Sequence, residues 1–374
     1  MENIKLFEKN KNIVLMVKTA GNACNINCTY CFEKAKDVKK YFITPEKLEK
    51  VLQLIQNTCS IVFHGGEPLI VGLEHFSKLL SVVRKYYSKK VDAVRIQTNG
   101  TLLTKQWIEL IYDQYKDLDI EIAISLDGTK KMNSSRVDYN NNETFEKVKN
   151  AFELLENHGK KAGMLSVISK KSLNLVDEYI DLISSMTNLS FIKINALFNV
   201  VGNELTKDSI LPLEYAEFIY KIACKYIETG LYKKVAIEPI LSILQRLNHR
   251  VSRYCNYSDV KCFNFLSVYP DGSIGPCDCF SINDFCIDNV DHVGKLLELC
   301  TSNYLNLNHT KNIKQLIENC KECEINDFCM CGCLSQRYYF RNNEKLSKNF
   351  CLSKKFLYEN FKKFSLIRGS GEHD

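Results

Sequence analysis

Short apolar segments alternate with longer amphipathic segments between residue 12 and about residue 230. The apolar segments have the length and composition of buried strands. They predict six strands: Ile13–Val17, Ser60–Phe63, Val94–Gln97, Ile120–Ser125, Gly163–Val167 and Ser190–Ile194. The amphipathic segments have helical periodicity, as at Leu48, Val51, Leu52 and Ile55. They predict six helices: Pro45–Gln56, Glu74–Tyr87, Lys105–Tyr115, Thr144–His158, Leu173–Ser185 and Leu213–Thr229.

Six successive βα units predict a parallel sheet, because parallel strands need long crossover connections. Six units are fewer than the eight that close a full barrel. An open or partial barrel is therefore as consistent with the pattern as a doubly wound sheet, and both place the ligand site at the carboxyl ends of the strands. We expect residues 1–235 to form this α/β domain.

The pattern changes after about residue 250, where cysteine becomes frequent and predicted strands become short. Twelve of the 17 cysteines lie between Cys255 and Cys351. Phe265–Val268 is predicted as a strand, followed by a turn at Pro270–Gly272. Residues 236–374 are therefore predicted to form a small α+β domain with an apolar core too poor to fold without metal. Lys354–Ile367 is predicted as an exposed amphipathic helix.

Composition narrows the class of protein. Hydrophobic residues make up 45% of the 374 residues and charged residues 25%, as in globular proteins. No apolar run is long enough to span a membrane, and the first twelve residues do not resemble a signal peptide, so we expect a cytoplasmic protein. A net charge of +6 without a basic block gives no indication of a nucleic-acid partner. An odd number of cysteines in a reducing compartment favours metal ligation over disulfides.

The loop after the first predicted strand contains Cys24, Cys28 and Cys31, spaced CxxxCxxC. Three thiolates are one fewer than a closed zinc site needs, and no histidine is nearby in sequence. A 4Fe–4S cluster on three thiolates keeps one iron open for another ligand. Reduced thiols in a core loop are the alternative.

This motif, followed by the aromatic residue Phe32, resembles that of the radical S-adenosylmethionine (radical SAM) enzymes. The resemblance implies a partial (β/α)6 barrel like an incomplete TIM barrel. It also implies that the open iron binds S-adenosylmethionine, whose cleavage releases a 5′-deoxyadenosyl radical that abstracts a hydrogen atom from the substrate.

Other strand ends fit the same resemblance. His64–Pro68 is similar to the GGEP motif of the family, in which Gly65 and Gly66 let the backbone approach a ligand and Glu67 accepts hydrogen bonds from the methionine ammonium group. Gln97–Gly100, after the third strand, is either a ligand-binding segment or an Asn-Gly turn.

The resemblance also assigns four further contacts with S-adenosylmethionine. Ser125 and Arg136 are implied to bind its ribose and carboxylate, although an isolated arginine is more often part of a surface salt bridge. Tyr30 and Leu197 are implied to lie beside its adenine.

The carboxyl-terminal region holds eight cysteines whose spacing suffices for two fully ligated 4Fe–4S clusters. On spacing alone, a pair of zinc ribbons is an equal alternative. Behind a radical SAM motif, however, the array resembles the SPASM domain with its two auxiliary clusters. That resemblance assigns the first cluster to Cys255, Cys262, Cys277 and Cys333. It assigns the second to Cys320, Cys323, Cys329 and Cys351. No ligand role is assigned to Cys59, Cys224, Cys279, Cys286, Cys300 and Cys331.

Asp278 directly follows a predicted cluster ligand, and this pair resembles the anaerobic sulfatase maturases, where the matching aspartate is proposed as the general base. A carboxylate at this position can deprotonate a substrate thiol or hydroxyl; capping of a turn is the alternative. The chain departs from those maturases at three places. Glu33 and Cys279 each stand where an aromatic residue is usual, and Met132–Asn133 stands where a His-Asp or His-Asn pair is usual. These departures leave the substrate open.

Three functions remain as hypotheses. The leading one is a radical SAM oxidoreductase that installs a thioether or carbon–carbon crosslink in a ribosomally made peptide. A sulfatase maturase that converts Cys or Ser to formylglycine is the alternative enzyme. A non-enzymatic iron–sulfur electron carrier or redox sensor is the alternative from another class. Both enzymes would carry three 4Fe–4S clusters and S-adenosylmethionine, and would need an electron donor such as flavodoxin or ferredoxin.

Overall fold

A parallel sheet with six strands in chain order forms the centre of the molecule. The computed structural model describes residues 4, 6, 12–36, 41–292 and 307–365. Most of the amino-terminal segment, Cys300 and the tail after residue 365 lie outside the described residues. All six predicted strands are confirmed: β1 (Ile13–Lys18), β2 (Cys59–His64), β3 (Val91–Thr98), β4 (Glu121–Ser125), β5 (Ala162–Ile168) and β6 (Leu189–Ala196).

The six predicted helices connect these strands, as parallel pairing requires. They are α1 (Pro45–Leu54), α2 (Leu73–Tyr86), α3 (Lys105–Glu109), α4 (Phe145–Asn157), α5 (Val176–Ser185) and α6 (Pro212–Glu228). Helix α1 begins at Pro45 because Thr44 caps it, with Oγ1 accepting from the Lys47 amide at 3.2 Å. Helix α3 continues into one π-helical turn, Leu110–Gln114. The partial (β/α)6 barrel is therefore confirmed.

The remaining strands are short. The strands are β7 (Val200–Val201), β8 (Glu204–Leu205), β9 (Ala236–Glu238), β10 (Phe265–Val268), β11 (Ser273–Gly275) and β12 (Asp288–Asn289). The described helices are α7 (Ile240–Leu247), α8 (Ile282–Phe285), α9 (Asn308–Glu318), α10 (Asn326–Cys329), α11 (Leu334–Phe340) and α12 (Glu344–Ser365). Strand β10 has the predicted boundaries.

The cysteine-rich region adds strands to both edges of the barrel sheet. Strand β9 pairs in parallel with β6, and β10 pairs in parallel with β1, with Val14 opposite Phe265. Strand β11 then pairs antiparallel with β10, and β12 pairs antiparallel with β11. Buried residues of this region, such as Phe263 and Leu266, belong to the same hydrophobic core as the barrel strands. The expectation of a poor, separate core was therefore wrong, because this region shares the core of the barrel.

The last helix differs from its prediction. Helix α12 begins at Glu344, ten residues before the predicted start, and packs against α6 and α7. Leu357 is 1% exposed and Phe361 is fully buried, with the Phe361 ring 6.2 Å from that of Tyr220. The helix is therefore a packed element. The sequence predicted an exposed helix because the helices that cover its apolar side lie about a hundred residues or more away in sequence.

Of the helices that the structure describes, none has both the length and the apolarity to cross a bilayer. The long helix α12 alternates charged and buried positions along its length.

Candidate active site

The three-cysteine loop follows β1 and is fixed to the segment after β4. Backbone hydrogen bonds join Asn27 N to Val137 O at 2.6 Å and Thr29 N to Ser135 O at 3.0 Å. The Cys28 thiol is buried and those of Cys24 and Cys31 are half-buried. Burial raises the pKa of the Cys24 thiol to about 11, and charge repulsion from Cys28 and Cys31 contributes to this rise. Among the described residues, these three sulfurs do not all lie within 4.8 Å of one another.

The two glycines after β2 make room for this loop. A Cβ on Gly66, which has φ +50°, would lie 1.9 Å from the carbonyl oxygen of Ala23. A Cβ on Gly65, at φ +85°, would lie 2.4 Å from Cδ of Lys18. The backbone at Gly66 is therefore approached closely by the cysteine loop of this same chain. A role for these glycines toward S-adenosylmethionine stays a prediction.

Glu67 ties the ends of β2 and β3 together. Its carboxylate is fully buried and accepts from Leu69 N at 3.1 Å, Thr98 Oγ1 at 2.7 Å and Asn99 N at 2.7 Å. Burial raises its pKa despite these donors. Most of the capacity of this carboxylate to accept hydrogen bonds is thus used within the protein, and binding of an ammonium group stays a prediction.

A second buried network joins the cysteine loop to the ends of β4 and β5. Tyr30 Oη donates to Asp127 Oδ2 at 2.5 Å and accepts from Arg136 Nη1 at 2.9 Å. The other oxygen of Asp127 accepts from Val167 N at 3.1 Å. Nε of Arg136 is buried without a hydrogen-bond partner, which leaves a polar donor for a bound group. Asp127 was not predicted as a site residue, although it follows a strand end as the others do.

The other two predicted cofactor contacts lie at neighbouring strand ends. Ser125 is the last residue of β4 and is half-buried. Leu197 directly follows β6, is 4% exposed, and donates its amide to Ile168 O at 2.9 Å. The structure thus brings Tyr30, Ser125, Arg136 and Leu197 to the carboxyl edge of the sheet. Their contacts with a cofactor stay predictions.

Asp278 lies in a cluster of buried charges beside β1 and β2. Lys18 Nζ donates to Asp278 Oδ2 at 2.8 Å and to Glu33 Oε1 at 2.6 Å, and lies 3.0 Å from His64 Nδ1. Lys36 Nζ donates to Glu33 Oε1 at 2.9 Å and to the backbone oxygen of Asp278 at 2.8 Å. Two ammonium groups thus face two carboxylates in one buried cluster.

These contacts set the charge of each group. Burial alone would raise the pKa of Asp278, but Lys18, His64 and Lys36 hold that pKa well below its ordinary value. Burial and the charge of Lys18 lower the pKa of His64 to about 4. Asp278 is therefore ionised and His64 neutral at pH 7. The sequence pattern did not single out Lys18, and it treated Glu33 only as a departure from the maturases.

The eight carboxyl-terminal cysteines form two groups beside buried basic side chains. Lys261 is fully buried and donates from Nζ to the backbone oxygens of Cys255 at 2.9 Å and Gly332 at 3.2 Å. Lys354, 7% exposed, faces thiols of both groups. Arg337 Nη1 donates to Cys320 Sγ at 2.7 Å. Buried cations with too few carboxylates to balance them fit thiolates that hold anionic clusters.

Of the cysteines without an assigned ligand role, some lie away from the predicted cluster ligands and others lie among them. Cys59 is buried in β2 and Cys224 half-buried in α6, as small apolar side chains often are; Cys286 is exposed. Cys279 and Cys331 instead lie within the two cysteine groups, beside Cys277 and Cys320 respectively.

Known proteins share this domain and this overall chain layout. Residues 19–183 match the model of the Radical SAM superfamily. A cysteine-type anaerobic sulfatase-maturating enzyme of Clostridium perfringens (strain 13) is 27% identical over 359 residues, covering 92% of this chain and 95% of that enzyme.

Solved structures agree over nearly the whole chain. Native anSMEcpe with bound AdoMet superposes with a TM-score of 0.82 at 26% identity, covering 96% of this chain and 99% of that chain. The structure with bound AdoMet and Cp18Cys peptide gives 0.81 at 25% identity with the same coverage. Residues 19–183 therefore form a radical SAM domain, and the chain is similar over nearly its whole length to anaerobic sulfatase-maturating enzymes.

Proposed function

We propose that this chain is a radical SAM enzyme that oxidises a side chain of a peptide or protein, and that its reaction is the conversion of Cys or Ser to formylglycine. The observation that carries this proposal is the similarity to the cysteine-type maturating enzyme, which covers the barrel and the cysteine-rich region together. Peptide crosslinking, the leading hypothesis from sequence, has no specific support from the comparisons and becomes the second candidate.

The radical chemistry would come from the cofactor. When bound, a 4Fe–4S cluster on Cys24, Cys28 and Cys31 and its S-adenosylmethionine supply a 5′-deoxyadenosyl radical that abstracts hydrogen. The hydrogen bonds from Tyr30 to Asp127 and from Arg136 to Tyr30 would keep the loop in place, with the orphaned Nε of Arg136 directed at the cofactor. A non-enzymatic carrier or sensor would need neither these contacts nor an open iron.

Asp278 is the proposed general base. Lys18 occupies its Oδ2, and Oδ1 accepts from Cys277 Sγ at 3.9 Å. With Cys277 bound to a cluster, Oδ1 would be the oxygen that a substrate thiol or hydroxyl meets. The neighbouring cations keep the carboxylate ionised, which is the form that a general base requires. Lys18 and Lys36 thus act as positioning residues that fix both ends of Asp278.

The cysteine-rich region would hold two auxiliary 4Fe–4S clusters. We assign it to residues 236–374, although its strands β9 and β10 belong to the barrel sheet. Among the described residues, no four cysteines gather their sulfurs within 4.8 Å as single zinc ions would require. Eight thiols suffice for two four-iron clusters, and zinc ribbons are the alternative.

The reducing partner would be a small flavodoxin or ferredoxin. Cys31 is half-buried and the adjacent Phe32 is 41% exposed, so the three-cysteine loop reaches the surface where an electron can enter. None of the 16 described cysteines forms a disulfide, in agreement with a reducing cytoplasmic location.

The two candidate reactions are separable by their products. Anaerobically reconstituted protein, supplied with S-adenosylmethionine and dithionite, should be given a peptide spanning the modification site of a sulfatase. In parallel it should be given a cysteine-rich peptide encoded beside its own gene. Formylglycine is an aldehyde and is captured by a hydrazide, whereas a crosslinked peptide loses two hydrogens per bond and gives no aldehyde. A crosslinked product without an aldehyde would contradict the proposed reaction.

A further inference from the structure

The first auxiliary cysteine group contains five thiols where a four-iron cluster takes four. Cys279 lies two residues after Cys277, and the two sulfurs and a carboxylate oxygen of Asp278 all lie within 4.8 Å of one another. Cys279 is also close enough to interact by charge with the other three predicted ligands, Cys255, Cys262 and Cys333. Its sulfur is therefore inside the group and not on a separate surface.

The chain around this pair is fixed on both sides. Cys277 N donates to Cys262 O at 3.1 Å, and Phe280 N donates to Cys277 O at 3.0 Å, which closes a turn over Cys277–Phe280. Phe280 is 1% exposed, with its ring 4.6 Å from that of Phe285. Lys18 and Lys36 hold Asp278 in the middle of the turn. The turn is held by these contacts, and it keeps the sulfurs of Cys277 and Cys279 close together.

We propose that Cys277 and Cys279 are alternative ligands of one iron of the first auxiliary cluster. This inference rests on the proposed auxiliary cluster. Each iron of a 4Fe–4S cubane takes one terminal thiolate, so the two adjacent sulfurs compete for a single position. On exchange, the incoming thiol transfers its proton to the departing thiolate, and neither the number of thiolate ligands nor the oxidation state of the cluster changes. The displaced thiol then lies beside the carboxylate of Asp278.

Single and double variants test this by iron content. Wild-type protein should hold about twelve irons in three four-iron clusters. Cys277→Ala and Cys279→Ala should each retain about twelve, and the double variant should fall to about eight. Cys255→Ala is the matched control, because no second thiol is assigned to its position, and it should also fall to about eight.

Two results would overturn the proposal. Loss of about four irons from either single variant alone would show one fixed ligand. Retention of about twelve by the double variant, when Cys255→Ala falls to about eight, would show that neither residue is a ligand. The control separates the two proposals. If Cys255→Ala keeps the iron content of the wild-type protein, then it is the auxiliary cluster of the proposed function that is wrong.

Anaerobic alkylation of the wild-type holoprotein gives an answer even if the double variant fails to fold. Both residues are partly exposed. Exchange should place the label on Cys277 in some chains and on Cys279 in others, with no chain labelled at both. Label confined to Cys279 would contradict alternation and leave Cys277 as a fixed ligand.

Discussion

Asp278 is the residue on which the proposed chemistry depends most. Asp278→Asn keeps the shape of the side chain and removes the base. We expect normal iron content and continued formation of 5′-deoxyadenosine, with peptide modification slower by about a hundredfold or more. Single-turnover assays that quantify both products would measure this. Asp291→Asn, at an exposed ion pair with Lys47 and Lys50, is the control. Modification at the wild-type rate by Asp278→Asn would reduce Asp278 to a turn-capping residue.

His64 should make the stability of the protein depend on pH. Its pKa is about 4 when folded and 6.5 as an ordinary histidine, so between these values the unfolded chain binds a proton that the folded chain does not. The free energy of unfolding should therefore fall as pH is lowered through this window. His64→Gln should remove this part of the slope, as measured by denaturant unfolding from about pH 7 down to about pH 5.

His292→Gln provides the matched control for that experiment, because the side chain of His292 is 76% exposed. This variant should keep the wild-type slope. An unchanged slope in His64→Gln would show that His64 titrates alike in the folded and unfolded protein, in conflict with its burial beside Lys18.

At the scale of elements, the packing of the cysteine loop against the turn after β2 depends on Gly66. Gly66→Ala would place a methyl group 1.9 Å from the Ala23 carbonyl oxygen and so displace the loop. We expect about eight irons in place of about twelve, with loss confined to the three-cysteine cluster. Gly202→Ala shares the positive φ, at +63°, but meets nothing within 4 Å, so it should retain about twelve. Equal iron contents in the two variants would contradict this steric role.

Helix α12 offers a second prediction at this scale. Phe361→Ala should lower the free energy of unfolding by about 3–5 kcal/mol, because a fully buried aromatic side chain is lost beside Tyr220. Leu352→Ala, at a position 53% exposed in the same helix, should change stability little. Urea unfolding of both variants measures the difference. Matching midpoints would mean that the end of α12 is not packed on α6.

The sequence predicted elements well where the signal is local. Strands β1 to β6 and their helices follow from apolar runs and from periodicity within ten to twenty residues, as in Leu48, Val51 and Leu52. The pairing of Val14 with Phe265 could not be predicted, because short strands such as β10 carry no information about a partner so far away. For the same reason the burial of α12 was missed.

At the scale of the whole molecule, the candidate site combines what motifs reveal with what only the fold reveals. Cysteine spacing and the GGEP motif pointed to the cofactor, but neither pointed to Lys18. This lysine binds both Glu33, which is 15 residues away in sequence, and Asp278, which is 260 residues away. The joined sheet explains how this happens. Pairing of β10 with β1 carries the segment containing Asp278 to the end of β1, where Lys18 is the last residue. The cysteine-rich region is thus an integral wall of the site.

The central claim, that this chain removes a hydrogen atom from a peptide side chain, is tested most directly with isotope transfer. A peptide deuterated at the β-carbon of its target cysteine should be incubated anaerobically with reconstituted protein, S-adenosylmethionine and a reductant. Mass spectrometry of the nucleoside product should show 5′-deoxyadenosine that carries deuterium, formed in step with modified peptide. If 5′-deoxyadenosine is absent, or is formed without deuterium while the peptide stays unmodified, the claim is contradicted.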